Sequence, residues 1–164
     1  MLNSKITKLL NEQVNKELFS AYLYIDIANY FTNHGLIGFT QWFSIQAKEE
    51  MEHAFKFLHY LQNNGADVVL DAIAKPTKTY PVVRDALVEG LKHEEFVTAS
   101  IVTILEAAVE AHDYRTQEFL QWFIREQAEE EKNARDHILA FDMYGADKQS
   151  LFLLDKQVGK RGQE

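Results

Sequence analysis

A chain of 164 residues with 46% hydrophobic content has the size and apolar fraction of one compact domain, spanning residues 1–164. Because it contains no cysteine, disulfide frameworks, thiolate zinc sites, iron–sulfur clusters and thiol nucleophiles are excluded, and metal ligands must be oxygen or imidazole. The formal net charge of −8 argues against a general nucleic-acid binder and favours the approach of cations.

The first predicted helix spans residues 4–32. Its inward positions recur at steps of three and four and form one stripe, which consists of Leu10, Val14, Glu17, Ala21, Tyr24, Ala28 and Phe31. An acidic residue, Glu17, thus takes a position that the pattern reserves for apolar side chains. Gly35, which can adopt a positive φ, is expected to end this segment. The amino terminus has no secretory signal pattern, so a cytoplasmic protein is expected.

The second predicted helix spans residues 38–62, and one face carries Phe43, Ala47, Glu50, Ala54, Phe57 and Leu61. His53 follows Glu50 by one turn, so the two side chains project to the same side. Residues 66–81 contain both prolines and no helical stripe, which predicts a long crossover. A crossover of this length can span a bundle and make the second and third helices parallel.

The third and fourth predicted helices span residues 82–111 and 114–144, and Asp113 is the expected N-cap of the fourth. The third carries Leu87, Leu91, Glu94, Thr98, Ile101, Leu105 and Ala108 on one face. The fourth carries Leu120, Phe123, Gln127, Glu130, Ala134, Ile138 and Phe141.

A short fifth helix over residues 146–158 has too little apolar surface to be stable alone, so it must dock on the others. No segment has the roughly 18 consecutive apolar residues of a membrane span. The predicted fold is therefore all-α, a four-helix bundle with a long crossover between helices 2 and 3 and a short fifth C-terminal helix.

Two polar sets with equal spacing lie on the inward faces. Glu17 precedes Glu50-x-x-His53 by 33 residues, and Glu94 precedes Gln127-x-x-Glu130 by 33 residues. Burying an unpaired carboxylate costs several kcal/mol, so these faces predict bound cations. Four carboxylates balance the charge of two divalent ions. Carboxylate oxygens with an imidazole suit Fe(II), Mn(II) or Zn(II), and two such ions are expected about 3.5–4 Å from each other.

The alternative for this first set is a buried salt-bridge network, which is disfavoured because the inward stripes contain no lysine or arginine. A second acidic set, Glu49, Glu126 and Glu129, lies beside the first. On spacing alone, that set is more typical of a solvated helix face with ion pairs.

The motifs Glu17-Leu-x-x-Ala-Tyr-x-Tyr24, Glu49-Glu50-Met-x-His53-Ala, His93-Glu94 and Phe119-Leu-Gln-Trp-Phe-x-x-Glu126-Gln127-x-x-Glu130-Glu resemble those of the prokaryotic non-haem ferritins. The resemblance covers essentially the whole chain. It implies an iron-storage protein that oxidises Fe(II) with O2 or H2O2 at an intrasubunit di-iron centre and keeps ferric oxyhydroxide inside a shell of about 24 identical chains.

Carried over by residue, the resemblance implies that Glu17, Glu50 and His53 hold one iron. Glu50 would bridge to a second iron that Glu94 and Glu130 also hold. Gln127 would line the centre, and Tyr24 would be its aromatic neighbour. The resemblance also assigns a third iron position to Glu49, Glu126 and Glu129 together with Glu130, against the expectation from spacing alone.

Gln127-x-x-Glu130 stands where bacterioferritins carry a second Glu-x-x-His, so no haem is expected. The remaining alternative is a di-iron oxidase or peroxidase that does not mineralise, since the same ligands serve both functions. Particle size distinguishes them, because a storage shell is far larger than a monomeric or dimeric enzyme. Neither a nucleic acid nor a membrane is an expected partner.

Overall fold

The computed structural model describes residues 2–161, and within that range the fold is all-α. Its five helices are α1 (Ser4–Asn33), α2 (Ile37–Asn63), α3 (Val83–Glu110), α4 (Tyr114–Tyr144) and α5 (Lys148–Val158). The predicted fold class is confirmed: four long helices form a bundle, and the fifth is short. No helix in residues 2–161 combines the length and hydropathy that crossing a bilayer requires.

Local chemistry explains where the long helices begin and end. The Asp113 carboxylate accepts a hydrogen bond of 3.1 Å from the Thr116 N–H, which makes Asp113 the N-cap of α4, as predicted. Gly35 and Gly65 have φ values of 71° and 70°. Glycine adopts this left-handed conformation at no steric cost, so these residues end α1 and α2.

The crossover over residues 66–81 runs beside α1 in the direction of α1. Near its start, the Val69 N–H donates to the Asn11 side chain at 2.7 Å. Near its end, the ring of Tyr80 packs edge-on against that of Tyr30, with centroids 5.3 Å apart. The chain therefore returns to the end of the bundle where α2 begins, and α3 starts there parallel to α2.

Two apolar clusters fill the bundle, one at each end. In the first, the rings of Phe57 and Phe123 stack with centroids 4.1 Å apart. In the second, Phe31 stacks on Phe39 and Phe43 at 5.0 and 5.2 Å. Both clusters exclude water, so the polar residues that lie between them along the helices are desolvated.

The fifth helix docks on the start of α2 through a buried carboxylate. Asp155 accepts hydrogen bonds of 2.9 Å from the backbone N–H groups of Gly38 and Phe39. Leu36 at the N-cap of α2 has no side chain that accepts a hydrogen bond, so the Asp155 carboxylate serves as the cap at the positive end of that helix. A Cβ on Gly38 would lie 1.7 Å from the Asp155 carbonyl oxygen, so only glycine allows this approach.

Replacing Asp155 with Ala is expected to weaken the docking of α5 by about 1.5–3 kcal/mol, because two hydrogen bonds to a charged acceptor are lost. Hydrogen exchange of the α5 amides, referred to those of α3, measures this effect. Asp67→Ala, at an exposed position in the crossover, is the matched control. Equal α5 protection in the two variants would contradict the docking role of Asp155.

Candidate metal centre

Polar side chains from all four long helices meet midway along the bundle, between the two apolar clusters. All six predicted positions there are at most 4% exposed: Glu17, Glu50, His53, Glu94, Gln127 and Glu130. The helical period places each of them on an inward face, and the bundle brings the four faces together. The result is a desolvated centre rich in carboxylates.

One part of the centre is arranged for a cation. Ligand atoms of Glu17, Glu50 and His53 lie within 4.8 Å of one another, and no other trio in residues 2–161 approaches so closely. His53 Nδ1 lies 3.4 Å from Glu50 Oε2. Glu17 Oε2 is buried and has no hydrogen-bond partner within residues 2–161. A buried carboxylate oxygen that accepts no hydrogen bond is suited to coordinate a metal ion.

The other part is built around Glu94, whose two oxygens each accept a hydrogen bond. The Tyr24 hydroxyl donates to Oε1. The Gln127 amide donates to Oε2 at 2.9 Å. Gln127 therefore acts here as a hydrogen-bond donor that orients Glu94, while Glu130 lies nearby on α4 and raises the electrostatic repulsion at the centre.

Burial and mutual repulsion shift the acids strongly. Burial, and then the charge of Glu50, raises the pKa of Glu17 to about 8. Burial raises the pKa of Glu94 to about 7, and burial with the charge of Glu94 raises the pKa of Glu130 to about 7. Burial, followed by the charges of Glu94 and Glu130, raises the pKa of Glu50 well above its usual range. Near neutral pH the centre therefore retains protons, which a metal ion can replace.

Two buried amides that the helical pattern did not indicate support the carboxylates. Gln13 donates to Glu17 Oε1 at 2.8 Å, and Gln46 donates to Glu50 Oε1 at 3.1 Å. Both glutamines precede their glutamate by four residues, a spacing that places the two side chains on one helix face. This Gln-x-x-x-Glu spacing is the signal in the sequence that could have found them, although Gln127 and Glu131 share it.

The carbonyl oxygen of each amide is also held, so the amide nitrogen faces the carboxylate. Ser100 Oγ donates to Gln13 Oε1 at 2.7 Å, and Lys16 Nζ donates to Ser100 Oγ at 2.5 Å. Arg161 donates to the Gln46 carbonyl oxygen at 2.8 Å. Two cations outside the bundle centre thus orient, directly or through a hydroxyl, the amides that bind its carboxylates.

His93 has a buried structural position that the sequence pattern did not indicate. Its Nε2 lies 2.7 Å from Ser20 Oγ, and its ring packs edge-on against Tyr24 with centroids 6.0 Å apart. Burial lowers the pKa of His93 to about 4, so the imidazole is neutral at physiological pH. Tyr24 is therefore fixed between His93 and Glu94.

The second acidic set is more exposed than the centre. Glu126 Oε1 lies 3.9 Å from His53 Nε2, which places Glu126 beside the buried trio. Glu49 forms an ion pair with Arg161, and Glu129 is exposed. The structure thus brings Glu126 to the centre and gives Glu49 a cationic partner from the end of the chain.

Comparison with known proteins places this geometry in a family. The profile of the ferritin-like domain matches residues 7–143. The chain is 34% identical over 159 residues to a probable bacterial non-heme ferritin-like protein of Haemophilus influenzae, covering 97% of this chain and 96% of that protein. It is also 34% identical over 158 residues to a bacterial non-heme ferritin of Campylobacter jejuni, covering 96% and 95% of the two chains.

Solved structures agree with the sequence comparisons. The fold matches that of an open pore ferritin from the hyperthermophilic archaeon Archaeoglobus fulgidus with a TM-score of 0.95 and 37% sequence identity. This match covers 98% of this chain and 99% of the archaeal chain. The likeness therefore extends over the crossover and the short fifth helix as well as the bundle.

Proposed function

Because the chain belongs to the ferritin family, we propose that it stores iron and that it oxidises Fe(II) to Fe(III) at a di-iron centre within each chain. One observation carries the proposal: four buried glutamates and one histidine converge between two apolar clusters, and Glu17 Oε2 has no hydrogen-bond partner among residues 2–161. Such a centre is costly without cations, and its oxygen and imidazole ligands suit iron.

Glu17, Glu50 and His53 hold the first iron in this proposal, and Glu50 bridges to a second iron that Glu94 and Glu130 also hold. Tyr24 and Gln127 support the second position by donating to Glu94, which keeps both of its oxygens in fixed directions. The third position comprises Glu49, Glu126 and Glu129 together with Glu130. Glu49, Glu126 and Glu129 are more exposed than the ligands of the first two positions.

The charge of the centre supports oxidation. Four ionised carboxylates balance two Fe(II) ions, so iron binding displaces the protons that the apo centre holds. Each Fe(II) then gives one electron. O2 would take the two electrons and two protons to leave as H2O2, or H2O2 would take them to leave as two water molecules. Anionic oxygen ligands favour the ferric product over the ferrous substrate, which drives the reaction forward.

The mineral and its shell complete the proposal. We infer that about 24 copies enclose a cavity in which ferric oxyhydroxide accumulates, as full-length similarity to ferritins supports. A discrete di-iron oxidase or peroxidase with the same ligands would need no cavity.

Size and iron content together test the proposed function. A shell of about 24 chains of 19.0 kDa elutes near half a megadalton, and aerobic Fe(II) should add ferric iron far beyond two ions per chain to that same peak. A monomer or dimer that takes up only about two ions per chain would contradict storage and would favour the oxidase. Failure to oxidise Fe(II) faster than buffer would contradict the ferroxidase centre itself.

A further inference from the structure

Arg161 follows α5 and extends its side chain back across α2. One nitrogen of its guanidinium donates to Gln46 Oε1 at 2.8 Å, and another donates to Glu49 Oε2. The guanidinium carbon lies 4.4 Å from the ring centroid of Trp42, in a cation–π contact. Three contacts of different kinds therefore fix one cation at the edge of the metal centre.

The position of Arg161 is set by the docking of α5. Asp155 anchors that helix to the start of α2, and Gly159 packs so tightly there that a Cβ would lie 2.8 Å from the Cα of Gly38. The Arg161 N–H donates to the Val158 carbonyl, which continues the helical turn toward α2. The docking of α5 on α2 thus positions the Arg161 guanidinium beside Glu49.

Through Gln46, the same cation acts on the iron-binding carboxylates. The Gln46 amide donates to Glu50, and its hydrogen bonding also lowers the pKa of Glu130, as does the charge of Arg161. Directly, Arg161 neutralises Glu49, one of the acids proposed for the third iron position. Arg161 therefore contacts an acid of the third position, and a metal ion and the guanidinium would compete for its carboxylate.

We propose that Arg161 is a built-in competitor for the third metal position, so that an ion binds Glu49 only when the guanidinium leaves it. This inference rests on the proposed function. A guanidinium and a divalent ion are both cations, so they repel each other when they bind the same carboxylate oxygen. The third position is consequently weaker than the first two and fills last. When its ion leaves, Arg161 pairs with Glu49 again.

Titration of the assembled protein with Zn(II), which undergoes no redox chemistry, tests the competition by calorimetry. Arg161→Ala is expected to bind the third Zn(II) per chain about 2- to 5-fold more tightly than the wild type, the fold-change of a lost ion pair that is partly exposed. Affinity for the first two ions should change less than affinity for the third, because Arg161 contacts Glu49 directly but reaches Glu50 only through Gln46.

Two further variants separate competition from general charge or structural effects. Lys160→Ala removes the neighbouring exposed cation and should leave the third affinity unchanged. Combining Glu49→Gln with Arg161→Ala should abolish the gain, because the contested carboxylate is gone.

Each other outcome overturns a defined claim. If the wild type does not bind the first two Zn(II) ions, the proposed di-iron centre is overturned. With those two intact, equal third affinity in the wild type and Arg161→Ala, an equal gain in Lys160→Ala, or no third ion in any variant would overturn the role of Arg161 alone.

Discussion

Replacing His53 with Ala is expected to slow the first phase of Fe(II) oxidation by about 100-fold, while the bundle still forms. Among residues 2–161, His53 is the only imidazole of the proposed ligand set, and its removal leaves Glu17 and Glu50 at the first iron position. Loss of a partner that merely orients a ligand costs about 10- to 100-fold in metal affinity or activity, so loss of the ligand itself reaches at least the upper end of that range.

Stopped-flow absorbance of the ferric product measures the initial rate, and circular dichroism checks that the helices persist. His59→Ala is the matched control, because His59 also lies on α2 but is exposed. The control should oxidise Fe(II) at the wild-type rate. A His53→Ala rate within about twofold of that control would remove His53 from the ligand set and with it the first iron position as proposed.

The metal-free protein is expected to lose several kcal/mol of unfolding free energy as the pH rises from about 4.5 to about 8. In the folded chain, the pKa of Glu17 is raised to about 8, and those of Glu94 and Glu130 to about 7. Over this window the unfolded chain has released the protons that the folded chain still holds, so rising pH favours unfolding. Each pKa unit of difference is worth about 1.4 kcal/mol, and coupling among the acids makes their sum smaller than additive.

Chemical denaturation at a series of pH values and a fixed protein concentration measures this slope, since assembly couples unfolding to dissociation. Glu50→Gln should flatten the slope and stabilise the metal-free protein at pH 8, because it removes one buried acid and the charge that adds to burial in raising the pKa of Glu17. Glu52→Gln, two residues away and exposed, is the control. A metal-free protein equally stable at pH 5 and pH 8 would contradict the desolvated acidic cluster.

Local periodicity was sufficient to predict the helices and the residues that they turn inward. Glu17 and Tyr24 are buried because they lie on the same stripe as Leu10 and Phe31, and a helix fixes that relation within a few turns. Gly35 and Asp113 act where they were expected, since a left-handed turn and an N-cap depend on neighbours in sequence.

The convergence of Glu94 with Glu50 was also predictable, but only once four inward faces were assumed to share one bundle. The roles of Gln13 and Gln46 were not predicted, although their spacing from Glu17 and Glu50 is local. An apolar stripe gives no reason to single out an amide, because its donor matters only after burial removes water as a competitor.

The sequence by itself determined the five helices, their inward faces and the presence of four acids without a cation on those faces. Only the tertiary structure decided that Arg161 supplies a cation from beyond the last helix and pairs with Glu49, which the helical pattern left between a surface ion pair and a metal position. Arg161 and Gln46 are 115 residues apart, and Asp155 lies 117 residues from Gly38. Such pairs depend on how α5 docks, and no local period encodes that contact, because burial and close backbone approach arise only when the separate helices pack.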